Sequence, residues 1–197
     1  QTILEEKNNL LEIKKSKFYG YLFHAENAEH FNTFLKRVKK EHPRADHVVY
    51  AYVLSKDDSG YSDANEPKGT AGRPVLNVIE KNSLSMVSIF IVRYFGGIKL
   101  GAGGLVRAYT QTASELISAS EKKSLVKAVS ISFSLNYDEL NRFLSQIKEN
   151  SLIILNKKFG ENVDIDAIIK EGMFTSLKND IRVLSLKILK KDFLYPF

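Results

Sequence analysis

The stretch VRYFGGIKLGAGGLVRAY (92–109) limits what this chain can fold into more than any other. It joins an apolar run, SMVSIFIV (85–92), to a segment with helical spacing, LVRAYTQTASELISAS (105–120). A continuous, β-branched apolar run is what a strand buried on both faces requires. Leu105, Ala108, Tyr109, Thr112, Leu116 and Ile117 recur at the helical period and give the next segment one apolar face. Between strand and helix fall Gly96, Gly97, Gly101, Gly103 and Gly104, five of the 11 glycines in the chain.

Arg93, Lys99 and Arg107 punctuate this connection, and no acid lies among them. Glycines admit positive φ and let backbone N–H groups approach an anion, to which a helix N-terminus adds positive potential. A tight strand–helix connection with close packing needs only two or three glycines, so the surplus points to an anion-facing loop. A cation at Arg107, in the helix's first turn, opposes the macrodipole by about 0.3–1 kcal/mol unless an anion offsets it. The loop is neither a P-loop, since Ala102 follows Gly101, nor a dinucleotide fingerprint, since Val106 stands where the third glycine belongs. In the expected site Arg93, Lys99 and Arg107 contact phosphates, and the five glycines admit them. Tyr94, Phe95 and Tyr109 either stack on bases or pack the core.

A second polar loop, YSDANEPKGTAGRP (61–74), is expected to form the opposite wall with Asp63, Glu66, Lys68, Gly69, Thr70, Gly72 and Arg73. Its acids either pair with Arg93, Lys99 or Arg107, or serve acid–base or metal chemistry. His47 heads a strand beside it. His24, His30, His42 and His47 have no metal-ligand spacing and there is no cysteine, so neither a metal, a cofactor nor a disulfide is expected. No serine has a nucleophile-elbow context, which leaves no catalytic residue to name.

Lys and Arg total 29 and Asp and Glu 23, a net charge of +6 that weakly favours an anionic partner. No apolar stretch can span a bilayer and the start lacks a signal-peptide run, so a cytoplasmic, non-membrane protein is expected. The spacing predicts a helix at 30–42, a strand at 47–54, a polar loop at 55–74 and a short strand or helix at 74–82. EKKSL (121–125) reads as a linker dividing domains 1–122 and 123–197. Beyond it the pattern is strand 125–137, helix 138–150 capped by Asp138, strands 152–159 and 163–170, helix 173–181 and strand 184–191. That βαββαβ order is ferredoxin-like, and the whole chain is α+β.

The blocks KKSKFYGY, HVVYAYVL, SDANEPKGTAGRPVL and VRYFGGIKLGAGGLVRAY, in this order and spacing, resemble the YigZ/IMPACT family over nearly the whole chain. One departure is visible. The family usually reads Asp-Asp-Gly-Glu-Pro where this chain has Asp63-Ala64-Asn65-Glu66-Pro67, which removes an acid at Ala64, while Asn65 tolerates the left-handed backbone of the turn. The resemblance implies an N-terminal domain like domain IV of elongation factor G, a fold shared with a ribosomal protein and with small-molecule kinases. It implies a C-terminal domain like domain V. Members with an added RWD domain regulate translation through a partner of an initiation-factor kinase. These 197 residues leave no room for that domain, so the partner is not carried over. The expected function is a non-catalytic binder of RNA or the ribosome linked to translation regulation. An enzyme or sensor for a small phosphorylated ligand at the same loop is the alternative, a protein partner is a third, and the oligomeric state is left open.

Overall fold

Along the strand Val87–Tyr94, Val87, Ile89 and Ile91 point to one face and Ser88, Phe90 and Val92 to the other, and all six are buried. Such a strand needs cover on both sides. The structure, a computed structural model, describes residues 1–146, 151–174 and 184–197 and supplies that cover with three helices. Its strands are β1 (Lys7–Ile13), β2 (Ser16–His24), β3 (His47–Val53), β4 (Ser59–Ser62) and the buried β5 (Val87–Tyr94). They form an antiparallel sheet in the order β1-β2-β5-β3-β4.

One face carries α2 (Gly72–Lys81) and α3 (Gly101–Ser118), whose Val75, Ile79, Leu105, Ala108 and Leu116 pack with Leu22, Val49, Ile89 and Ile91. The other carries α1 (Ala28–Glu41), whose Phe31 and Val38 close over Phe23, Phe90 and Val92. The side chain of Asn27 caps α1 by accepting from the His30 N–H at 2.9 Å, so the helix starts two residues before the expected one. The ambiguous segment after Gly72 is helical. Pro74 falls in its first turn, where the missing N–H costs no bond. The polar loop conceals β4, paired with β3 from Tyr50↔Ser62 to Val53↔Ser59.

The chain divides into two compact units, Gln1–Lys123 and Ser124–Phe197. Unit 2 runs β6 (Leu125–Leu135), α4 (Tyr137–Gln146), β7 (Leu152–Phe159), β8 (Val163–Lys170) and β9 (Ser185–Pro196). The antiparallel sheet order β7-β8-β6-β9 is the strand order of a ferredoxin-like βαββαβ domain. Asp138 does not cap α4. The cap is Asn136, whose Oδ1 accepts from the Glu139 N–H at 2.8 Å, while Asp138 sits in the first turn beside the helix's positive end. Residues 171–174 are helical; the rest of the helix expected at 173–181, and the end of the one expected at 138–150, lie outside the described residues. The strand expected to end at 191 runs on through Pro196.

Candidate nucleic-acid interface

Sheet register brings three expected residues into one row. Arg93 on β5 lies opposite Phe18 on β2 and His47 on β3, on the face that α3 covers. The Arg93 guanidinium is buried, with its carbon 5.5 Å from the Phe18 ring centre. Its Nη1 donates to both Glu66 carboxylate oxygens, at 2.7 and 3.0 Å. Tyr109 of α3 donates its hydroxyl to Glu66 Oε1 at 2.8 Å. Burial, then the Glu66 charge, pushes the Tyr109 hydroxyl far above the ordinary phenol range, so it stays a proton donor. His47 Nδ1 donates to the Ala64 carbonyl at 2.8 Å, which leaves Nε2 facing Glu66 Oε1 at 3.8 Å. Strand, loop and helix are thus tied together around one buried carboxylate.

The acidic loop also closes the start of α2. Asp63 Oδ1 accepts from the Ala71 and Gly72 N–H groups at 3.1 and 2.8 Å, and Oδ2 accepts from Gly69 at 2.8 Å. Thr70 Oγ1 donates to the Pro67 carbonyl at 2.6 Å, a turn contact. Ala64 and Asn65 hold φ of 47° and 67°, so Asn65 has the left-handed backbone expected of it and Ala64 shares it.

The start of α3 is different. Its N-cap, Leu100, offers no side-chain bond, its first turn contains no acid, and no side chain among the described residues accepts from Gly101, Ala102 or Gly103. Gly101 takes φ +71°, and a Cβ at Gly97, Gly101 or Gly103 would meet nothing within 4 Å. Lys99 and Arg107 are exposed and pair with no acid among the described residues. Phe95 and Ile98 are exposed beside them. Free N–H groups, the unpaired Lys99 and apolar side chains therefore share one open turn, with the unpaired Arg107 in the second turn of the helix that follows, a composition that suits phosphate and base together.

The family model for the Impact N-terminal domain matches residues 14–117, the span that holds both loops. The chain belongs to the IMPACT family. An IMPACT family member of Haemophilus influenzae is 37% identical over 175 residues, covering 86% of this chain and 84% of that one. IMPACT family member YvyE of Bacillus subtilis is 32% identical over 205 residues, covering 96% and 93%. A crystal structure described as a hypothetical protein superposes with a TM-score of 0.66 at 25% identity, over 94% of this chain and 96% of that one. The matches to both IMPACT relatives extend into unit 2, and the structural likeness spans both units.

Placed on this geometry, the expected site splits in two. Lys99, Gly97, Gly101 and Gly103 lie on the open turn, and Gly104 follows half-exposed. Arg107 is exposed too, but α3 starts at Gly101, four residues before the expected start, so Arg107 falls in its second turn and not its first. Arg93 and Tyr109 do not join them: both are buried and committed to Glu66, so neither is placed to touch a phosphate or stack on a base. Tyr94 lies on the opposite sheet face, where its hydroxyl meets His42 Nδ1 at 3.0 Å. Gly96 is a packing glycine, because a Cβ there would sit 2.0 Å from the Lys15 carbonyl carbon. In the second loop Asp63, Glu66, Thr70 and Gly72 turn inward, Arg73 pairs with Glu80 at 3.7 Å, and Lys68 and Gly69 are exposed. Two participants were missed. Ser16 accepts from the Gly96 N–H at 3.1 Å, and Asp46 from the Phe95 N–H at 2.8 Å. Both partners lie more than forty positions away, so no local pattern marks them.

Proposed function

We propose that this protein binds RNA or the ribosome and acts in translation, receiving phosphates at the open turn formed by residues 97–103. The observation that carries this is the start of α3, which has neither side-chain cap nor acid among the described residues, with the unpaired cations Lys99 just before it and Arg107 in its second turn. The family's likeness to translation-factor domains supports RNA over other anions. The buried cluster has a supporting role: Glu66 neutralises Arg93 and anchors the loop that closes α2, leaving α3 as the open terminus.

Fluorescence anisotropy of a mixed-sequence, single-stranded RNA tests the proposal against a Lys99→Ala/Arg107→Ala variant. Removing two phosphate contacts should flatten the slope of log K against log salt by about 1.4 and weaken binding about tenfold near physiological salt. The thermal midpoint should hold, because both side chains are exposed. Equal affinity and slope in the two proteins would overturn it. Stabilisation of the wild type by phosphorylated metabolites, with no response to RNA, would move the site to a small ligand.

A further inference from the structure

Unit 2 carries a second surface with the chemistry of a nucleic-acid platform. Its core uses Val129, Ile131, Phe133 and Leu135 of β6, so the residues between them face the other side of the sheet. On that side Phe193 lies opposite Ala128, Tyr195 opposite Val126, Lys190 opposite Ser130, and Lys170 of β8 opposite Ala128. Phe193, Tyr195 and Phe197 form a row, with ring centres 6.3 and 5.4 Å apart in successive edge-on pairs. All three are part-exposed. Lys190 stands 4.9 Å over Phe193 and Lys170 5.0 Å over Phe197, and neither lysine pairs with an acid among the described residues. The far end of the same face carries Ser132 and Ser134 opposite Asp166 and Asp164.

We propose that the aromatic end of this face binds single-stranded RNA, stacking two or three bases on Phe193, Tyr195 and Phe197 with phosphates on Lys170 and Lys190. Aromatic rings alone suit any apolar partner. Rings interleaved with unpaired ammonium groups suit a ligand that alternates flat π-faces with negative charge, and a strand of bases on a four-stranded sheet is that ligand. Asp164 and Asp166 repel phosphate, which confines the RNA to the aromatic end. The surface takes the same class of ligand as the open turn of unit 1 but shares no residue with it.

The test titrates the full chain against a fluorescein-labelled twelve-residue oligouridylate, which stays unpaired. A Phe193→Leu/Tyr195→Leu variant keeps apolar volume and should bind about tenfold more weakly or worse. Lys170→Gln/Lys190→Gln should flatten the salt slope by about 1.4. Because the chain has no tryptophan, Tyr195→Trp keeps the platform and adds a single-site reporter whose emission should be quenched as a base stacks on it. Wild-type affinity in the leucine variant, or unchanged tryptophan emission while anisotropy registers binding, overturns the platform. Binding abolished by Lys99→Ala/Arg107→Ala and untouched by the leucine changes would keep the open turn and remove the platform; the reverse pattern would keep the platform and remove the turn. A wild type that binds no oligouridylate at low salt removes the platform outright.

Discussion

Helices α2 and α3 start on the same face of the same sheet, and their starts are finished in opposite ways. At α2 the protein supplies its own anion, as Asp63 takes three backbone N–H groups from a loop that Glu66 pins to Arg93 and Tyr109. At α3 no anion arrives from the described residues, although the helix is longer and carries Arg107 in its second turn. A helix's unsatisfied N–H groups take an internal cap, water or a ligand. On the proposed reading, the chain caps one start itself and keeps the second for a ligand from outside.

The largest expected effect breaks the closed side. Glu66→Ala strands the buried Arg93 guanidinium and removes the acceptor of Tyr109, so unfolding free energy should fall by about 3–5 kcal/mol. Urea denaturation followed by circular dichroism measures it. A loss under about 1 kcal/mol would mean that the cluster does not anchor the loop. Gly96→Ala comes next, because its Cβ would overlap the Lys15 backbone and force a shift costing about 1–3 kcal/mol. Gly103→Ala, with open space around it, should cost nothing and gain up to about 1 kcal/mol from helix propensity. Equal effects at the two positions would erase the distinction between packing and open glycines.

Asp63→Ala converts the closed start into an open one. Losing the cap should cost about 1–2 kcal/mol, visible as a lower thermal midpoint, with Asp63→Asn in between. A midpoint that stays put would show water replacing the carboxylate at no cost.

The legible parts of the sequence were the locally periodic ones. β3, β5, α3 and the alternation of unit 2 follow from side-chain period, which each segment carries in itself. α2 was ambiguous because nine residues with five apolar positions fit either period, and β4 disappeared among turn formers because SGYS has only one aromatic to mark it. The pairing of an acid of the second loop with Arg93 was one of the two open readings, yet Arg93 was also counted among the phosphate contacts. Charge pattern shows that an arginine is present but not whether an acid twenty-seven positions away consumes it. For Tyr109, open between stacking on bases and packing the core, the helical period already favours the core, and the structure buries it there.

The smallest effect closes the open side. Ala102→Glu puts an acid in the exposed first turn of α3, where it complements the macrodipole and should raise stability by about 0.3–1 kcal/mol. The same carboxylate stands where a phosphate would arrive, so RNA affinity should fall while the fold gains. Opposite signs in one variant cannot come from a damaged structure, which would lower both. If the substitution stabilises the helix and RNA binds as before, the turn is not where phosphate lands. If Ala102→Gln, without the charge, lowers affinity as much as glutamate, the cause is bulk at the turn and not its potential.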